Sequence, residues 1–310
     1  MAKSEIKSHS ATNFLNEYAP VPPQTCHLIL RTLAWRTLNL KEFFNLVNPE
    51  LLRRESEGGE GASINEGGTL RLALNLLIGL GLVVEENDEL RLGEGVKFDD
   101  LIDNHNDAFQ LLMTRFVIAD SARAVASDSE PSDLITYAGY LIDSFDSRIQ
   151  INSWREPSNH VGRIYSDPTL NQERWNSLRR WMVALGWAES INNRFQIDCT
   201  GIIDTLVGEL LRIEFEKEFT AEEFIVALGD HIPIYSPLIQ SWIRGKSGRV
   251  ENLPGTHTPP PSVQWAMLKL KLNGVLNYRL LDDFRGTYLQ MNEGRYTHLT
   301  FQRKITDGAD

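Results

Sequence analysis

"LRRWMVALGWAESINNRFQI", Leu178 to Ile197, is the stretch whose reading decides the fold. Counting from Trp175, apolar residues fall at Trp175, Leu178, Met182 and Leu185, the rhythm of one helix face. Gly186 follows, where a helix commonly stops because glycine takes positive φ without strain. "WAES" and "RFQI" then read as two short strands around Ile191-Asn192-Asn193, since asparagine tolerates turn geometry. A helix, a glycine stop and a tight hairpin are the third helix and wing of a winged helix-turn-helix module.

The pattern recurs on both sides. "LRLALNLLIGLGLVVEENDELRLG" places Leu70, Ala73, Leu77 and Leu80 in phase before Gly81, with "LVVE" and "ELRL" as strands around Asn87-Asp88. "SVQWAMLKLKLNGVLNYRLLDDFRGTYLQM" places Val263, Ala266 and Leu270 in phase before Asn273-Gly274. There "VLNYRLL" and "TYLQM" read as the strands, with Asp282 to Gly286 as their turn. An upstream element repeats too: "LNLKEFFNLVNP" (Leu38 to Pro49) matches "FTAEEFIVALGD" (Phe219 to Asp230). In each, an N-cap residue (Asn39 or Thr220) precedes a short helix with a Glu-Phe pair. "SEGGEGASINEGG" and "RGKSGRVENLPGTHTPPPS" have loop composition.

The expected fold class is therefore mainly α with small β-hairpins: three tandem winged helix-turn-helix modules joined by a helical segment. The boundaries read as a flexible N-terminal tail over 1–20, module 1 over 21–97 and a helical connector over 98–135. Module 2 then spans 136–200 and module 3 spans 201–305. "YAGYLIDSFDSRIQ" supplies the first helix of module 2, whose second helix is poorly defined. The connector's apolar face (Leu101, Phe109, Leu112, Phe116) predicts packing against the modules rather than a free linker.

Composition narrows the function classes. A chain of 310 residues with net charge −11 does not coat nucleic acid indiscriminately. The charge is uneven, however: residues 201–240 carry two basic side chains against eight acidic, and residues 241–305 carry ten against four. The opening "MAKSEIKSHSATNF" lacks an apolar core, so no secretory signal is expected, nor is any membrane span. Cys26 and Cys199 are too few and too far apart for a disulfide framework or zinc site, which suits reduced thiols in the cytoplasm.

No catalytic motif stands out. "GKSG" at Gly245 to Gly248 resembles the end of a P-loop, but position 240 is Gln240 where that motif needs glycine. The seven histidines form no metal-binding pair, Glu5-Ile6-Lys7 lies in the tail, and no G-x-S-x-G is present. No cofactor, no metal and no enzymatic activity are expected.

In DNA-binding winged helices the third helix enters the major groove and the wing touches phosphates, so the outward face needs hydrogen-bond donors. Module 1 fails this test. Its third helix is apolar almost all round apart from Arg71 and Asn75, and its wing "EENDE" is acidic. It reads as a module for protein partners. Module 2 offers Arg174, Asn176, Arg179 and Arg180 on its helix and Arg194 in the wing. Module 3 offers Lys269 and Lys271 on its helix, Arg279 and Arg285 at the hairpin, and Lys246 and Arg249 in the preceding loop. Modules 2 and 3 are thus expected to bind double-stranded DNA.

The length, the module order, and the units at Leu80-Gly81-Leu82 and Leu185-Gly186-Trp187 resemble the DpdG proteins that accompany 7-deazaguanine DNA modification systems in bacteria. That resemblance spans most of residues 21–305 and carries no catalytic residues. It implies a non-catalytic partner of helicase or nuclease subunits acting on unmodified invading DNA. The expected function is a DNA-binding adaptor of a multiprotein complex that restricts foreign DNA. The alternatives are an acidic winged-helix scaffold that binds only protein and a transcriptional regulator.

Overall fold

Gly81, Gly186 and Gly274 take φ of +79°, +70° and +72°. Each lies two residues beyond a helix and two before a strand. The bonds that close the helices also repeat: Leu82 N–H donates to Leu77 O (2.9 Å), Trp187 N–H to Met182 O (2.8 Å) and Val275 N–H to Leu270 O (2.9 Å). These satisfy carbonyls that the helix ends would otherwise leave open.

A computed structural model describes residues 13–47, 68–96, 106–145, 150–161, 170–192, 194–212, 215–247, 256–282 and 284–302. Residues 56–67 of the expected Gly-rich loop, Leu101 and Arg249 lie outside the described residues. After α1 (Phe14–Glu17), a first unit runs α2 (Pro23–Trp35), β1 (Leu38–Asn39), α3 (Leu40–Val47), α4 (Gly68–Gly79), β2 (Val83–Glu86) and β3 (Glu89–Leu92). Helix α5 (Asn106–Ala126) follows. The second unit runs α6 (Asp133–Ser144), β4 (Gln150–Ile151), α7 (Arg155–Val161), α8 (Gln172–Ala184), β5 (Ala188–Ile191) and β6 (Arg194–Ile197). The third begins α9 (Thr200–Leu210), β7 (Glu216–Thr220) and α10 (Ala221–Leu228). A 3-10 turn at Pro233–Tyr235, α11 (Pro237–Ser247) and β8 (Thr256–His257) are then inserted. It closes with α12 (Pro261–Leu272), β9 (Leu276–Arg279), β10 (Tyr288–Met291), β11 (Gly294–Tyr296) and β12 (His298–Gln302).

The fold is mainly α with small, mostly antiparallel sheets. In every unit the last strand is central, pairing with the first strand and with the strand that follows the glycine-ended helix: β1-β3-β2, β4-β6-β5 and β7-β12-β9. The upstream helices repeat as well. Asn39 Oδ1 accepts from Glu42 N–H while Glu42 Oε2 accepts from Asn39 N–H. Thr220 and Glu223 make the same reciprocal pair, so a capping box starts both α3 and α10.

Four expectations need correction. The strands "VLNYRLL" and "TYLQM" do not pair: β9 pairs with β12 (Leu276↔Phe301, Arg279↔His298), and β10 pairs with β11 and β8. The tight turn is Asn292-Glu293, between Met291 and its partner Gly294. Thr297 closes the inserted loop, its N–H donating to Arg279 O (2.9 Å) and its Oγ1 accepting from Leu281 N–H (3.0 Å). Lys246 lies on α11 rather than in a loop, because Ile239, Trp242 and Ile243 give that segment an apolar face. The second unit does have a second helix, α7, which Pro157 and a thin apolar pattern hid from the periodicity. Finally, Phe14 and Leu15, read as tail, are fully buried, with the Phe14 ring 5.1 Å from Trp181.

The units share one core. Every residue of α6 from Asp133 to Asp143 is buried, so no face of that helix meets solvent. Helices α1, α5, α7, α8, α11 and α12 surround it. Glycine environments make the difference between units measurable. A Cβ on Gly186 would stand 2.5 Å from Gln110 Nε2 and 2.8 Å from the backbone nitrogen of Ile202, whereas one on Gly81 meets nothing within 4 Å. Both sites carry the positive-φ penalty for alanine, about 1 kcal/mol. Gly81→Ala is expected to cost about that, and Gly186→Ala at least twice as much because α9 must move, as read by urea unfolding.

The second and third units meet at Trp187, whose Nε1–H donates to His231 O at 2.7 Å. The His231 ring contacts Thr114 Oγ1 of α5 at 3.0 Å. Burial lowers the His231 pKa to about 4, Asp230 opposing and Arg115 assisting. His257 is likewise lowered to about 4, by burial and then Arg244. Between pH 6.5 and 4 the unfolded chain therefore binds protons that the folded chain refuses. This part of the stability is complete above pH 6.5 and is lost as pH falls. Asp133 acts in the opposite sense: its carboxyl, pushed up to about 7 by burial, favours the folded state less as pH rises from about 4 to 7. Comparison with His231→Gln isolates the imidazole, and the variant is expected to lose less stability than wild type between pH 6.5 and 4.

Candidate nucleic-acid interface

Helix α8 starts at Asn171, whose Oδ1 accepts from Arg174 N–H at 2.9 Å. Its apolar stripe turns inward: Trp175 meets the Phe195 ring at 5.2 Å, and Leu178, Trp181 and Met182 are buried. Gln172 and Glu173 are exposed in its first turn, and past them Asn176, Arg179, Arg180 and Val183 face outward. These four line an open groove of about 300 Å³ with Ala184, Ser190 of β5 and Gln24 of α2. Arg179 lies over the Phe195 ring, 5.5 Å from its centroid. Arg180 Nη2 donates to Ala19 O at 2.5 Å. Both guanidinium groups are thus oriented, with other N–H donors left to aim at a ligand. Arg194 and Ile191 are exposed in the hairpin beside them, Ile191 at 62%.

Arg174, grouped with these in the sequence, faces the other way. Its Nε and Nη1 are buried without a hydrogen-bond partner, and its charge acts on Asp133. Asp133 Oδ1 accepts from the N–H groups of Leu15 and Leu134, both at 2.9 Å. Arg174 is therefore an internal counter-charge near α1 and not a surface donor.

The third unit departs further from expectation. Lys269 bonds the fully buried Asp198 and lies 3.6 Å from Glu189, tying α12 to the ribbon of the second unit. Lys271 bonds Glu293 in the β10–β11 turn and sits over the Tyr278 ring, 5.0 Å from its centroid. Asn292 N–H donates to Gln264 Oε1 at 3.1 Å, so this inserted hairpin lies across the outer side of α12. Arg279 pairs with Glu218 at 3.5 Å. Lys246 is exposed over Trp242, and Arg285 is exposed in the loop before β10. The structure brings Asn176, Arg179 and Arg180 to one groove and leaves Lys246, Lys269, Lys271, Arg279 and Arg285 dispersed. In the first unit, Arg71 of α4 lies 3.9 Å from Glu85.

A family model described as DpdG-like matches residues 13–283. The chain belongs to the DpdG-like family. That match takes in the first two units and the third through β9, so β10, β11 and β12 of the DpdG-like chain fall beyond it. No curated protein and no solved structure matches. The family is associated with DNA modification systems.

Among the described residues of the DpdG-like chain, no three His, Cys, Asp or Glu side chains gather as a metal site, and no helix is long and apolar enough to cross a membrane. Cys26 and Cys199 are buried and not bonded to each other, and burial raises both thiol pKa values. Two polar groove residues, Gln24 and Ser190, escaped sequence reasoning, as did the apolar Val183 and Ala184. Gln24 stands some 150 residues before α8, and no local pattern links them.

Proposed function

We propose that the three units are winged helices and that this DpdG-like chain is a non-catalytic DNA-binding adaptor. It acts within a multiprotein complex that restricts foreign DNA alongside DNA modification. One observation carries the reading. Of the three equivalent helices α4, α8 and α12, only α8 presents arginines that no carboxylate neutralises among the described residues. A third helix with free donors in an open groove suits the major groove, and the adjacent ribbon with Arg194 suits a phosphate backbone. Helix α12 is covered by β10–β11 and by its ion pairs, so the contact falls to the second unit and not to both.

The acidic ribbon of the first unit, with Glu85, Glu86, Asp88 and Glu89 exposed, repels phosphate and is left for protein subunits such as a helicase or nuclease. The family's association with DNA modification supports the setting. Duplex binding measured against salt concentration is the test. A log–log slope of about −2 or steeper supports the adaptor, because each phosphate contact contributes about −0.9. Absence of binding at low salt would leave a scaffold that holds only protein. Binding confined to one symmetric sequence would favour a transcriptional regulator.

A further inference from the structure

The groove beside α8 continues onto α2. Gln24, in the first turn of α2, lines it together with Asn176, Arg179 and Arg180. Leu28, Arg31 and Trp35 follow Gln24 at i+4, i+7 and i+11, so the four share one face of that helix. All four are exposed, Leu28 at 50% and Trp35 at 68%. At about 1.5 Å per residue the line runs about 16 Å away from α8.

The charge on this face has one sign. Helix α2 contains no acidic residue; Arg31 stands midway along the line and Arg36 at its end, both exposed. In a chain of net charge −11, a helix without a carboxylate that meets two more arginines at its start is a local cationic track. Its apolar members decide which polyanion fits. An intact duplex keeps its base faces stacked inside and would set phosphates against Leu28 and Trp35. An unpaired strand presents base faces that stack on an indole while its phosphates meet guanidinium groups.

We infer that the outer face of α2 binds single-stranded DNA emerging from the duplex held at α8, so that the whole surface recognises a duplex–single-strand junction. This rests on the duplex contact proposed above. It also gives the first unit a DNA role.

The test compares a blunt duplex with the same duplex bearing an oligo-dT overhang of about ten nucleotides, within the span of known single-strand sites. Binding to the full chain is followed by fluorescence anisotropy. The overhang is expected to tighten binding about tenfold. Trp35→Ala and Arg31→Glu are each expected to remove most of that gain while blunt-duplex affinity stays within about twofold, which also shows that the variants fold. Equal binding of both DNAs by wild type would overturn the junction and leave the duplex contact standing. An equal loss on both DNAs in the variants would overturn it too, because α2 would then touch duplex. Failure of wild type to bind either DNA would remove the duplex contact and the junction with it.

Discussion

Trp187→Ala is expected to destabilise the fold by about 3–5 kcal/mol, the usual cost of truncating a buried tryptophan. The side chain is fully buried between Gly186 and the first strand of the second unit's ribbon, and it reaches into the third unit to donate to His231 O. Its removal opens a cavity at the junction and leaves the part-buried His231 carbonyl without this donor. Two consequences should separate in a pair of variants. Trp187→Phe keeps most of the apolar volume and loses the N–H, so it should cost about 1–3 kcal/mol. Urea unfolding followed by circular dichroism reads both. A loss below about 1 kcal/mol in the alanine variant would mean that the indole does not join the two units.

The second large effect falls on binding. Arg179→Glu with Arg180→Glu is expected to weaken duplex affinity about 100-fold, since each well-placed arginine contact is worth about 1–3 kcal/mol. The salt dependence should flatten by about one unit of slope per residue if both meet phosphates. Stability should change little, because Arg179 contributes a partly exposed cation–π contact and Arg180 one bond to Ala19 O. Lys271→Gln is the control: its ammonium is already bonded to Glu293, so affinity should move less than about threefold. If Lys271→Gln weakened binding as much as the double reversal, the DNA face would belong to α12 and the account of α8 would be wrong.

The repeat was readable because its determinants are local. A helix stripe, a glycine two residues past the helix and an Asn-Asp or Asn-Asn turn lie within about 25 consecutive positions, and the Asn39 and Thr220 capping boxes within four. Where pairing ran through distant chain, local reasoning failed. Asp282 to Gly286 looks like a hairpin turn, yet β9 finds its partner at His298–Gln302, beyond the β10–β11 insertion. Phe14 and Leu15 sit in a polar stretch, and their burial depends on Asp133 and Trp181, more than a hundred residues away.

The same division holds for the site. Arginines at i, i+1 on the side of α8 away from the Trp175–Leu178–Met182 stripe had to point outward, because helix periodicity leaves them no other direction. Whether a cation stays available is another matter, since it depends on which carboxylate lies within about 4 Å in space. Asp198 and Glu293 neutralise Lys269 and Lys271 from 71 and 22 residues away, and Arg174 turns inward toward Asp133. Chain order therefore sets element type and facing through short-range sterics. Charge availability and the Gln24 edge of the groove follow from long-range packing, which brings together side chains that no spacing rule connects.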